Sequence, residues 1–453
     1  MTSKKWLMLV VAIVMVAAML AACGADPTPT EAPAAQEPTK APEPEPTAAP
    51  EPVTIEWWTV SSEEYTEETQ RAMAAEFEAS HPNIKVNVTV LPSSGFGEKM
   101  TTALGAGEGA PDVAFFWDNN WFPEALELTP YIEADPDFSP DLYFPGFWNT
   151  RAMWGDKVVG LPLGVGANFV MYNKDVFDEA GVAYPSEDWT TEDFLNTAKQ
   201  LTDPDSKRWG GDRPRGPYRA VFFNYGARPY SDDSTTVEGY LNSDATLAAY
   251  TWLWDLVDSG STPTPAELEV LGTEGTGPVD LFLAGRLAMA TLNQGHMLNA
   301  TDAGANFGIV PEPGVPGQTQ YMHGWSLTSS IWKGTEHPQE AWEFLSYWVG
   351  PEGQKYLMDN GNLFPSIPSV LETYKDADKD YVQAFFRVLA QEQDAEWLMG
   401  HPCYRGGVER AIQDMWDKIM FGGIAREDIP AEMESLIPAA QDALEECVPR
   451  LGG

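Results

Sequence analysis

Ile84, Val86, Val88 and Val90 alternate with Lys85, Asn87 and Thr89, the period of two that turns one face of a β-strand to a core and the other to water. The period changes on the N-terminal side. From Thr66 to Ala79, Met73 and Phe77 fall one turn apart among polar residues, which predicts a helix stopped by His81-Pro82. Thr54 to Trp58 and Val113 to Trp117 read as short strands, and a second helix is expected from Phe96 to Leu104. Strand, helix, strand, helix, strand in succession predicts an α/β lobe built on a parallel sheet. Further on, Trp189 to Phe194 reads as a helix start, with Thr190 and Asp193 spaced as a capping box. The C-terminal third reads as helical, most clearly over Val408 to Met420 and Ile429 to Val448.

In an open parallel sheet a ligand meets the loops that follow the strands' C-terminal ends. Those loops are residues 59–65, 91–96 and 118–122, with Trp58 just before the first. They carry Ser61, Ser62, Glu63, Phe96, Asp118, Asn119, Asn120 and Trp121. Carboxylates, amides and hydroxyls beside flat rings suit a sugar, whose hydroxyls need partners and whose C–H faces stack. The same residues also fit solvated loops carrying one or two core aromatics.

The first fifty residues follow no such pattern. Lys4 and Lys5 precede an unbroken apolar run from Leu7 to Leu20, and Leu20-Ala21-Ala22-Cys23 follows. A basic start, a short apolar stretch and small residues at a cut site define a secretory signal, here residues 1–22. The run is shorter than the roughly 20 residues that span a bilayer comfortably. Leu-Ala-Ala-Cys resembles a bacterial lipobox, which implies cleavage before Cys23 and lipid attachment to it. An uncleaved membrane helix, or an incidental cysteine, is the alternative. Residues 23–52 are almost entirely Ala, Pro, Glu and Thr, with nothing to bury in a core, and read as an extended tether. The expected address is therefore the extracytoplasmic face of a cell membrane, held through lipid alone.

Composition narrows the class. The roughly 400 remaining residues exceed one hydrophobic core and suggest two lobes. A formal net charge of −41 argues against nucleic acid and anionic lipid as partners. The 17 Trp, 16 Tyr and 20 Phe supply many stacking surfaces. With Cys23 assigned to lipid, Cys403 and Cys447 form an even pair in an oxidising compartment. A disulfide between them would stabilise by about 3–4 kcal/mol in the chain-entropy account; two separate buried thiols are the other reading.

Metal and cofactor chemistry find no pattern. The five histidines (His81, His296, His323, His337 and His401) lack HExxH spacing. Asp376, Asp378 and Asp380 begin like a calcium loop, but Tyr381 and Arg387 stand where Gly and Glu are needed. Gly105, Gly107 and Gly109 lack the strand and spacing of a dinucleotide fingerprint, and there is no GxSxG elbow. No metal and no cofactor is expected, and binding rather than catalysis.

Several longer segments resemble one family in order and spacing: Ala110-Pro111-Asp112-Val113; Val159 to Leu163; Phe169 to Phe177 with its Tyr172-Asn173-Lys174; Trp189 to Phe194; Leu281 to Ala290; His323 to Leu327; Gln339 to Val349; and Pro351-Glu352-Gly353-Gln354. Together they are similar to the extracellular solute-binding proteins of ABC importers, the group that includes the maltose/maltodextrin-binding protein. The resemblance runs from Val53 to the C-terminus. It implies a two-lobed α/β fold of periplasmic-binding-protein type (type II), with a hinge of crossing strands and a ligand cleft between the lobes. Residues 53–165 and 325–372 would form lobe I, and residues 166–324 and 373–453 lobe II.

By position, the resemblance places Phe116 to Asn120 on the lobe I side of the cleft and Gly164 to Asn168, including Asn168, near a crossing. The family's aromatic stacking group is expected in the loop Asn293 to Met297, where this chain has His296. Trp325, at the return crossing, is the better stacking candidate, with hinge packing as the alternative. Gly166 stands where the maltodextrin-binding relative has an acidic residue, so maltodextrin in particular is not supported. Asn224 and Tyr225 are further candidates, and so is Tyr404. Arg213, Arg215, Arg219 and Arg228 read as a solvated loop or an anion patch.

The expected function is a lipid-anchored, monomeric receptor that captures a carbohydrate and hands it to an ABC permease. The alternatives are the same fold holding a polyamine, phosphodiester or peptide, and, more remotely, a surface glycosidase or adhesin.

Overall fold

The computed structural model describes residues 52–61, 66–107, 109–117, 119–154, 156–212, 220–264, 267–268, 277–361, 363–393 and 408–447. In chain order the first lobe opens with β1 (Val53–Val60), α1 (Glu67–Ser80), β2 (Ile84–Leu91), α2 (Ser93–Ala106) and β3 (Val113–Phe115). A long strand, β4 (Leu161–Asn173), leads to α3 (Lys174–Ala180), α4 (Thr191–Leu201), α5 (Ala220–Asn224), α6 (Asp244–Asp258) and α7 (Pro278–Leu283). Then come β5 (Met289–Asn293), α8 (Gln294–Asp302), β6 (Phe307–Val310) and β7 (Gly324–Ile331). The chain closes with α9 (Pro338–Val349), α10 (Pro351–Asn360), α11 (Asp380–Leu389), α12 (Glu409–Met420) and α13 (Ile429–Cys447).

Local chemistry explains the boundaries. Thr66 caps α1 by accepting from Thr69 N. The capping box predicted at α4 is present, with Thr190 N donating to Asp193 Oδ2 at 2.9 Å and Asp193 N to Thr190 Oγ1 at 3.1 Å. α2 is broken at Ser94 and Gly95, where Gly95 takes φ 88°, so its regular part begins at Phe96. None of the helices among the described residues is long and apolar enough to cross a membrane.

The strands join in the order β2-β1-β3-β7-β4-β5, with β6 also on β4. β1 pairs in parallel with β2 and β3, as the alternation of strands and helices predicted. Asp112, just before β3, ties this corner together. Its Oδ2 accepts from Glu56 N at 2.7 Å and its Oδ1 from Thr335 Oγ1 at 2.5 Å.

β4 serves both halves of this sheet. Residues 161–167 pair antiparallel with β7, and residues 168–173 pair antiparallel with β5 and β6. A further crossing segment follows α10, where Val165 N donates to Phe364 O at 2.8 Å. Three cores surround this crossing. One lies on the β1–β3 sheet, where Trp57 meets Trp348 edge-on at 4.3 Å. A second gathers Phe222, Tyr250, Leu253 and Met415 among α5, α6, α12 and α13. The third straddles the crossing strand, joining Phe147, Phe169, Leu292, Phe364 and Phe385. The two-lobed α/β organisation expected from the resemblance is the one observed.

Candidate functional site

The register of β7 decides where the hinge lies. Ser329 pairs with Phe115 on one side and Leu161 on the other, so these residues are level across the sheet. β7 runs antiparallel to β3, and its N-terminal end therefore extends beyond the C-terminal edge of β1–β3. Trp325 stands four residues past that level line and Gly166 five, roughly 13–17 Å at strand spacing. The crossing thus sits on the edge of the sheet where the loops after β1, β2 and β3 emerge, the usual ligand side of an open α/β sheet.

At that crossing three chain segments meet through defined contacts. Trp325 and Gly166 are direct antiparallel partners, as are Gly324 and Ala167. One residue further, Asn168 faces Asn293 across β5, and Asn168 N donates to His323 O at 2.8 Å. Gln294 Oε1 accepts from Ala167 N at 3.2 Å. The His323 and Trp325 rings lie 6.0 Å apart at 40°. Asn168 and His323 are each 6 % exposed, whereas Trp325 is partly open to solvent. Asn168, Asn293, Gln294, His296, His323 and Trp325 include no carboxylate, despite the chain's large negative charge.

The segment Asn293 to Met297 is a correction to the expected loop. Asn293 ends β5 and caps α8 directly, its Oδ1 accepting from His296 N at 3.2 Å, while Asn293 N donates to His296 Nδ1 at 3.4 Å. His296 thereby closes a capping box, a different task from the stacking group the family would place there. The residue that sequence reasoning passed over is Gln294. The preference of Asn for the position before a helix was the available signal.

On the first lobe, Phe96, Phe116 and Trp121 are 1 %, 1 % and 4 % exposed. Their rings are taken up in one cluster, with Phe96 4.5 Å from Trp117 and Trp121 6.2 Å from both Phe96 and Phe116. Trp121 Nε1 donates to Thr101 Oγ1 at 3.0 Å. These three expected contact residues are therefore buried in this cluster, and Trp117, within the Phe116 to Asn120 stretch expected on this side, is the partly exposed ring of the group. Trp58 is also partly exposed, with Lys99 Nζ 4.3 Å from its ring centroid. Ser61 is exposed just beyond β1.

Asn224 is a clear correction. It is fully buried, its Nδ2 donates to Pro313 O at 3.0 Å, and its Oδ1 accepts from Tyr321 N at 2.6 Å. Both ends of the amide are used on backbone, so it fastens α5 to the strand entering the hinge instead of facing the cleft. Tyr225 shares a hydrogen bond with Thr191 Oγ1 at 2.9 Å, and burial raises its phenol pKa. Arg228 rests on Phe223 and Tyr321, 4.9 and 5.5 Å from their centroids, and donates to Ala227 O. Cys23, Ser62, Asp118, Cys403 and Tyr404, the side chains of Asn119 and Cys447, and Arg213, Arg215 and Arg219 lie outside the described residues. Among the described residues no group of His, Cys, Asp and Glu is placed to hold a metal ion.

The chain is similar to several known proteins. The erythritol/L-threitol-binding protein of Mycolicibacterium smegmatis is 24 % identical over 345 residues, covering 68 % of this chain and 71 % of that protein. An ABC substrate-binding protein of Listeria monocytogenes, solved in complex with cycloalternan, is 25 % identical with a TM-score of 0.67, covering 88 % of this chain and 100 % of the other. The sugar-binding protein MalE of Xanthomonas citri gives a TM-score of 0.71 at 20 % identity, covering 88 % and 99 % of the two chains. Residues 61–355 match the pattern of one family throughout, and the chain belongs to the bacterial extracellular solute-binding proteins.

Proposed function

We propose that this chain is the carbohydrate-capturing receptor of an ABC importer, held at the outer face of the membrane through a lipid on Cys23. The observation that carries the reading is the hinge floor. A partly exposed indole stands beside the side-chain amides of Asn168, Asn293 and Gln294, with no carboxylate in that group. Such a surface suits an uncharged solute rich in hydroxyls and C–H faces. The sugar- and polyol-binding names of the relatives support the same class. Ser61, Ser62, Trp58, Asp118, Asn119, His296 and Tyr404 are the further residues assigned to the cleft, with Trp117 added.

Closure of the two lobes over the solute would present the permease with a surface the empty receptor lacks. The handover needs no bond made or broken, in keeping with a family of binding receptors. The test is a thermal-shift and calorimetric screen of neutral monosaccharides, oligosaccharides and polyols, with polyamines, phosphodiesters and peptides alongside. A solute at 100 times its Kd stabilises by about 2.7 kcal/mol. Trp325→Ala is expected to weaken the best carbohydrate by roughly ten- to a hundredfold, or about 1.4–2.8 kcal/mol. A response confined to the charged compounds or peptides would overturn the assignment, and product formation from a saccharide would replace it with an enzyme.

A further inference from the structure

Gly166 needs no special backbone conformation, since it is absent from the glycines with positive φ. Its lack of a side chain is a matter of space. A β-carbon there would overlap the Trp325 indole and come within 2.5 Å of both Trp325 Cζ2 and Gln294 Nε2, where ordinary contact begins near 3.4 Å. The indole of one crossing strand and the amide at the start of α8 therefore occupy the volume that any other residue at 166 would claim.

The neighbours differ in their freedom to yield. β4 is hydrogen-bonded to β7 up to Ala167 and to β5 from Asn168, which fixes the backbone at 166. Gln294 is held by Ala167 N. Trp325 is partly exposed, its indole lying against Gly166 and near the His323 ring. Both the indole and the end of the Gln294 side chain must therefore give way, the indole toward the side on which it is already open.

We infer that Gly166 is a positioning residue for solute recognition: it seats the Trp325 ring against the crossing strand beside Gln294, and so sets the height of the aromatic floor. Its role in affinity rests on the carbohydrate reading above; the seating of the ring does not. A bulkier residue at 166 lifts the indole toward the cleft and removes the depth a sugar ring would use. An acidic residue there would displace the ring and add a charge, changing the site from an aromatic to a carboxylate floor.

The experiment uses the full chain with 5-fluorotryptophan and 19F NMR, the Trp325 resonance being assigned by its loss in Trp325→Phe. In solute-free Gly166→Ala that resonance is expected to shift while most of the others stay in place. Gly166→Ala is also expected to weaken the tightest carbohydrate of the screen at least tenfold, and to have little further effect when added to Trp325→Ala. An unmoved Trp325 resonance, or losses that multiply fully in the double variant, overturns the inference. Should Gly166→Ala fail to fold, the Gly166→Ala/Trp325→Ala double variant is expected to fold, because the indole overlap is gone and the Gln294 amide, the far end of a flexible side chain, can turn aside into the vacated space; a double variant equally unfolded also overturns it. If no carbohydrate binds, the proposed function fails while the fluorine spectrum still decides the seating.

Discussion

Gln354 and Ser366 close a buried hydrogen-bonded ring beside the crossing strand: Ser366 N donates to Gln354 Oε1 at 2.6 Å, and Gln354 Nε2 donates to Ser366 Oγ at 2.8 Å. Both residues are fully buried. Ser366 Oγ donates to Pro162 O at 2.7 Å, and Gln354 Nε2 also reaches Val349 O at 2.6 Å. Gln354→Ala strands Ser366 N in the interior and is expected to destabilise the protein by about 1–3 kcal/mol, the usual penalty for a buried polar group left unpaired. Urea denaturation measures it; a change near zero would mean that water or a neighbour takes over the bonds.

Asn224 makes the complementary case, a polar residue near the hinge whose work is structural. Asn224→Ala leaves Tyr321 N and Pro313 O without these partners and is expected to cost about 2–4 kcal/mol. Solute affinity of the folded fraction should stay within about twofold, a change of roughly 0.4 kcal/mol. A tenfold loss of affinity with unchanged stability would return Asn224 to the cleft.

Asp233 supplies a pH-dependent element. Its Oδ1 accepts from Ser231 Oγ at 2.6 Å and from Thr235 Oγ1 at 2.8 Å, and these bonds hold its carboxyl below the usual range. A depressed carboxyl contributes stability above its unfolded pKa and loses that contribution as pH falls through its lower folded value. The Tm of the protein should therefore exceed that of Asp233→Ala at about pH 7, and the gap should close only below about pH 4, the unfolded Asp value. Scanning calorimetry of both proteins across that range checks it, and a constant gap would refute the linkage.

Cys23→Ser is expected to release the protein from the membrane fraction with its solute affinity unchanged, because the proposed lipid site and the cleft belong to separate parts of the chain. Membrane fractionation and calorimetry read the two properties independently. Retention at the membrane would remove the lipid anchor, and loss of binding would show that anchor and cleft are coupled.

The aromatic candidates show where sequence reading reached its limit. Phe96, Phe116, Trp121 and Trp325 look alike in the sequence, as flat rings next to strand ends. Phe96 and Phe116 both pack edge-on against Trp121 in the first core, and of these four only Trp325 keeps a partly exposed ring. Periodicity does not separate these cases, because strand ends have no alternation left to read. The motif Pro351 to Gln354 was legible as a family feature, yet its purpose depends on Pro162 and Ser366, the first of them 192 residues away.

What the sequence determined by itself is what depends on near neighbours. The alternation of β2, the paired turns of α1 and the capping box of α4 follow from residues a few places apart, and the parallel β1–β3 unit from the order in which those strands and helices alternate. The tertiary structure alone decided which polar groups stay available, which aromatic remains open, and why Gly166 carries no side chain. Those answers rest on contacts between distant strands, where the volume claimed by Trp325 and Gln294 is settled only once β4, β7 and α8 are in place.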